Sequence, residues 1–181
     1  HTIISCLASV VRNNGTPVFC DVDKISWNMS LENIQKVVTN KTKVIMPVSL
    51  FGLPVDIEPI MKFAREKNIK VIDDSAETIL GIYKNKFAGT HADIAVYSFE
   101  NKKHMTSGGE GGMVITNNNQ IFKKIKMLKA FGIDKDINER KVPGLYDVKK
   151  LGYNYRMTDF QSALGLEQLR RYKKEILIRK K

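Results

Sequence analysis

The chain is short of cysteine, short of acid and without a long apolar run. Two cysteines, Cys6 and Cys20, stand among 181 residues. They offer neither the paired spacing of a zinc site nor the even framework of a small secreted domain, so metal ligation and disulfide scaffolding are not indicated. A reducing cytoplasm is the expected compartment, and no secretory leader is visible, although the first residue is His1 rather than methionine. No segment approaches the roughly 20 apolar residues that a membrane helix needs. No internal repeat or low-complexity tract occurs.

Asp and Glu number 19 against 30 Lys and Arg, a formal net charge of +11. Such an excess favours acidic partners, but the basic residues are spread along the chain rather than blocked, and no nucleic-acid-binding motif accompanies them. Nucleic acid is therefore not an expected partner. With 43% hydrophobic residues, the composition is that of a soluble globule large enough for one ordinary core.

Helical and strand periodicities alternate. Helices are expected near 2–12, 31–39 and 56–67, and strands at 17–22, 43–50 and 69–73, with Pro47 awkward inside the second strand. Ile57, Ile60, Met61 and Ala64 share one helical face, and so do Ile121, Ile125 and Leu128 after the cap-forming cluster at 117–119. These stripes are expected to be core. The polar region 134–150 reads as a long loop, and a last helix starts near Thr158 with an apolar stripe of Met157, Phe160, Ala163 and Leu164. The alternation predicts an α/β fold, a mostly parallel sheet flanked by helices.

Chemistry concentrates at two strand ends. The apolar run 92–99 leads into Ser98 and Lys103, and the strand beginning at Ile69 delivers Asp73 and Asp74 to the same edge, where open α/β sheets bind ligands. An amine and a carboxylate so placed suit pyridoxal phosphate, which needs a lysine as covalent anchor and an acid at its ring nitrogen. Spacing alone is equally satisfied by a strand-end aspartate and a solvated lysine.

Four ordered motifs narrow the choice: GTPVFCDVD at 15–23, TKVIMPVSLFGLPVDIEPIMKFAREKNIKVIDDSAE at 42–77, SFENKKHMTSGGEGGMV at 98–114 and LGYNYRMTDFQSALGLEQL at 151–169. Together they resemble the DegT/DnrJ/EryC1/StrS family of pyridoxal-phosphate-dependent nucleotide-sugar aminotransferases, over nearly the whole chain. The resemblance implies an aspartate-aminotransferase-like (type I) large domain. It also implies that residues 1–181 are an incomplete piece of that domain, without the N-terminal phosphate-binding part and the small C-terminal domain.

By the same resemblance, Lys103 is the cofactor-anchoring lysine, with Lys102 as the competitor in register, and Asp74 in DDSAE is the pyridinium-binding aspartate. Glu77 falls where many members have a glutamine near the ring hydroxyl, and Ser98 matches a serine that bonds the cofactor phosphate. Asn154, with Arg156 as fallback, matches an asparagine that reaches the phosphate in the neighbouring subunit, which implies a homodimer with shared sites. The expected partners are a nucleotide-diphosphate keto sugar and an amino donor, usually glutamate, in aminosugar or polysaccharide biosynthesis. Departures from the pattern are Ile3 in place of a ring-stacking aromatic and one extra residue in the turn Gly108, Gly109, Glu110, Gly111, Gly112. His104 keeps open a sugar 3-dehydratase, since one branch of the family has histidine at the lysine position. A non-catalytic or regulatory member is the remaining alternative.

Overall fold

The computed structural model describes residues 2–135 and 137–179. Its frame is a four-stranded sheet in the order β1 (Val44–Ile45), β2 (Lys70–Asp74), β5 (Ile94–Ser98), β6 (Gly112–Ile115). The first three strands run parallel, and β6 closes the edge antiparallel to β5. This is the mostly parallel α/β sheet read from the sequence.

Helices α1 (Ile4–Arg12) and α2 (Leu31–Val37) both precede the sheet in the chain, and the Ser30 side chain accepts from the Asn33 amide as the N-cap of α2. Helix α3 (Ile57–Glu66) is the crossover from β1 to β2. Pro59 sits in its first turn, where the missing N–H would have had no helical partner. The stripe Ile57, Ile60, Met61 and Ala64 is buried and joins Ile34, Ile45, Val55, Ile69 and Val71 in one core cluster. Full burial of each large member contributes on the order of 1.5–3 kcal/mol.

Between β2 and β5 the chain forms a hairpin, β3 (Ile82–Tyr83) and β4 (Lys86–Phe87), not anticipated from sequence. Lys84 and Asn85 both adopt positive φ, the turn whose twist matches a tight hairpin. Pairs of Tyr83 with Asp56 and of Lys84 with Glu58 tie it to the start of α3.

After β6 come α4 (Asn119–Leu128), capped by the Asn118 side chain, and α5 (Asp159–Arg179). Thr158 and Gln161 exchange side-chain and backbone hydrogen bonds as a capping box at the start of α5. The segment 134–150 carries one 3-10 turn, Ile137–Glu139, and an isolated bridge from Val148 to Ile133. A second cluster, Ile79, Phe99, Met105 and Tyr172, packs α5 against the loop that follows β5.

Three expectations need correction. Residues 17–22 form no strand: a strand needs a neighbour to satisfy its backbone, and among the described residues only Val22 finds one, bridging Met29. The strand expected over 43–50 shrinks to Val44–Ile45, because Pro47 has no N–H to give the ladder. Its carbonyl still accepts from the Asp74 amide at 2.9 Å, and Ser49 N donates to the Asp74 carbonyl at 3.0 Å, so the segment keeps running beside β2. The stripe Ile121, Ile125 and Leu128 is only half-buried rather than core.

Candidate active site at the ends of strands β2 and β5

Parallel pairing of β2 with β5 puts Asp74 opposite Val96, so that Asp74 ends one strand and Ser98 ends its neighbour on the same edge. The edge inherits its chemistry from these two strand exits.

Asp74 is only 8% exposed, and each oxygen of its carboxylate has a donor. Oδ1 accepts from the Ala76 amide at 3.1 Å, and Oδ2 accepts from Sγ of Cys6 at 3.2 Å. Asp73 is buried at 2% exposure, with the Ser49 hydroxyl 3.5 Å from Oδ1. Burial first, and the neighbouring Asp74 charge after it, push the Asp73 carboxyl up to about 6.

Lys103 lies in the loop between β5 and β6, its amide donating to the Glu100 carbonyl at 3.0 Å. Its Nζ meets Oε1 of Glu77 at 3.0 Å, and its side chain is 18% exposed. Lys102 is exposed, and only its amide engages Glu100. The second oxygen of Glu77 accepts from the Phe51 amide at 3.0 Å. That backbone donor and Lys103 hold the Glu77 carboxyl below its ordinary value.

Ser98 is half-buried, and its Oγ accepts from the Glu100 amide at 3.3 Å, which shapes the start of the lysine loop. The loop returns through the glycine turn. Gly108 and Gly109 take positive φ, whereas Gly111 and Gly112 are there for space, since a Cβ would stand 2.2 Å from Ser107 Oγ and 2.7 Å from the Tyr97 carbonyl. Gln161 of α5 donates to the Glu110 carbonyl at 2.9 Å and fixes the turn from outside. His104 packs edge-on against Tyr172, 6.5 Å between ring centroids.

The structure thus brings together Asp74, Glu77 and Lys103, with Ser98 at the adjoining strand end. Asn154 stands apart. It bridges Ala130 beyond α4, is exposed, and accepts from Arg156 Nε at 3.0 Å; no described hydrogen bond joins it to the other four. Two participants were not read from the sequence. Cys6 reaches Asp74 across 68 residues, a pairing that no local spacing signals. The Phe51 amide is backbone, invisible to any reading of side-chain types, although the adjacent Gly52 with φ 82 marks the turn that aims it.

Lys103 is thus held on Glu77, which stands three residues after the buried Asp74 at a parallel strand end. The sequence profile of the DegT/DnrJ/EryC1/StrS aminotransferase family matches residues 1–181. The chain belongs to this family. Among relatives, the GDP-perosamine synthase of Escherichia coli O157:H7 is 40% identical over 168 residues, 93% of this chain and 44% of that protein. The solved aminotransferase from Psychrobacter cryohalolentis superposes with a TM-score of 0.87 at 40% identity, covering 94% of this chain and 44% of that one. NtdA from Bacillus subtilis, solved with bound cofactor PMP, superposes with a TM-score of 0.80 at 27% identity over 93% of this chain and 36% of that one.

The fold is accordingly that of the pyridoxal-phosphate aminotransferases. The chain spans less than half the length of these relatives. No described helix of this DegT-family chain is long and apolar enough to cross a membrane.

Proposed function

We propose that this chain carries the cofactor-binding part of an enzyme that moves an amino group from a donor, glutamate by family habit, to a nucleotide-linked keto sugar. The observation that carries the reading is the contact of Lys103 with Glu77, 3.0 Å, in the same turn region as the buried Asp74. The name of the Escherichia coli relative supports a nucleotide-linked sugar as the substrate class.

The side chains present fit pyridoxal phosphate. Lys103 would anchor it through Nζ, Asp74 would face the ring nitrogen, Glu77 would lie near the ring hydroxyl, and Ser98 would offer its O–H to the phosphate. Asn154, exposed and joined to this cluster by no described hydrogen bond, would serve the phosphate in a partner subunit, so that a homodimer shares its sites. When bound, the cofactor supplies an electron sink for the carbon that loses its proton.

The chain's own residues do the rest. Asp74, shielded from water and fixed at both oxygens, holds a proton at the ring nitrogen. With the cofactor bound, Nζ of Lys103 would act as general base and then general acid. Glu77, anchored by the Phe51 amide, keeps Nζ within reach. A cytoplasmic location accompanies this reading.

The test is an absorbance spectrum of the protein with pyridoxal phosphate, before and after borohydride, followed by peptide mapping. A visible band trapped on Lys103 is expected. An adduct on Lys102, or no band in the full-length protein, overturns the assignment. A 4-keto-6-deoxy sugar nucleotide should yield an amino sugar; its consumption without one would point to 3-dehydration instead.

A further inference from the structure

Cys6, in the first turn of α1, is half-buried and donates to Oδ2 of Asp74 at 3.2 Å. The bond to Oδ1 is local, made by the amide two residues on, and by itself it leaves the carboxylate to swing about that single tether. A second donor from a helix 68 residues earlier removes that freedom. Leu7, Val10, Val48 and Leu50 line one cavity of about 100 Å³ with Cys6 and Thr2, so the thiol sits in mostly apolar surroundings in which a hydrogen bond to a carboxylate is stronger than in open water.

We propose that Cys6 is a positioning residue whose S–H holds the Asp74 carboxylate in the orientation that meets the ring nitrogen of pyridoxal phosphate. This inference rests on the function proposed above. The thiol is a dependable donor at neutral pH, because burial, reinforced by the bond to Asp74, pushes its pKa up to about 11. A hydroxyl at the same place can donate as well, and a methyl cannot. Cys20 is the natural comparison: its Sγ donates to the Asp21 carbonyl at 3.3 Å and has no part in the site.

Two measurements on the full-length protein test the role. In the first, without cofactor, alkylation of each thiol by iodoacetamide is followed by peptide mapping. Asp74→Asn should speed reaction at Cys6 several-fold and leave Cys20 unchanged, and an unchanged Cys6 rate overturns the contact. If both thiols accelerate together, the fold has loosened, and the second measurement decides.

That measurement titrates pyridoxal phosphate by absorbance into the unsubstituted protein, Cys6→Ala and Cys6→Ser. Cys6→Ala should bind roughly three- to tenfold more weakly, with an altered pH dependence of the visible band, and Cys6→Ser should recover both. The reducible linkage to Lys103 should persist in all three. A normal band with the same affinity and pH profile in Cys6→Ala overturns the positioning role alone, whereas no band even in the unsubstituted protein overturns the proposed function.

Discussion

Glu77 grips Lys103 with one oxygen and the Phe51 amide with the other, each at 3.0 Å. Its carboxyl is depressed below the ordinary 4.5, by the Phe51 amide first and Lys103 after it. A depressed acid stabilises the fold at pH above its ordinary value, and the contribution disappears as pH falls through the lowered one. Glu77→Gln should therefore flatten the loss of stability on the acid side of pH 4.5, by less than about 1 kcal/mol for this partly exposed pair. Urea midpoints at pH 6 and pH 3 check it.

Lys103→Ala should remove the borohydride-trapped cofactor linkage and lower amino transfer by at least about 10²-fold, the scale of a lost general acid–base. The urea midpoint should move little, because Glu77 retains the Phe51 amide. Mass mapping with parallel denaturation separates lost chemistry from lost structure.

Asp73 has the opposite sign. Its pKa is raised from 3.8 to about 6, so the folded chain holds this proton more tightly than the unfolded one. Stability then falls as pH rises across that window and stays reduced above it. Asp73→Asn should abolish the decline and raise the denaturation midpoint at pH 7 relative to pH 4. Equal midpoint shifts at both pH values would contradict the buried-acid account.

The parts that sequence made legible are those governed by a period or a local motif. The α3 stripe is buried because four apolar residues recur on one helical face, and Asn118 caps α4 as its cluster predicted. Asp74, Ser98 and Lys103 follow from where strands stop. What sequence could not show depends on distant neighbours. Val18 and Phe19 have the residue types of a strand yet stand 68% and 67% exposed, since β propensity yields no strand without a partner. Phe160 belongs to an apolar stripe and is 90% exposed, so periodicity identified its helix but not what covers it. Cys6 carried no signal at all until α1 was seen against the end of β2.

Gly132 and Gly144 share a φ of +78, but a Cβ at Gly132 would stand 1.7 Å from the Lys150 carbonyl, and one at Gly144 meets nothing within 4 Å. Alanine at either position strains the backbone; only at Gly132 must main chain also give way. Gly132→Ala should cost at least about 2 kcal/mol and Gly144→Ala about half of that or less. Thermal midpoints of the pair separate crowding from dihedral strain. The cost at Gly132 should also reach Asn154, because the Phe131 amide bonds the Tyr153 carbonyl at 2.8 Å.

The antiparallel return of β6 onto β5 bears on the order in which the site assembles. The Phe99 amide bonds the Gly111 carbonyl at 2.8 Å, and Ser107 N bonds the Phe99 carbonyl at 3.0 Å, so the lysine loop is shut by contacts close in sequence. Short closures lose little chain entropy and form early, whereas the parallel register of β2 with β5 must wait for the whole hairpin crossover. The amine's cradle can thus form as a local event of folding, and the carboxylates arrive only with the long-range step. A destabilising change in β2 should slow completion of the site without dissolving the loop that presents Lys103.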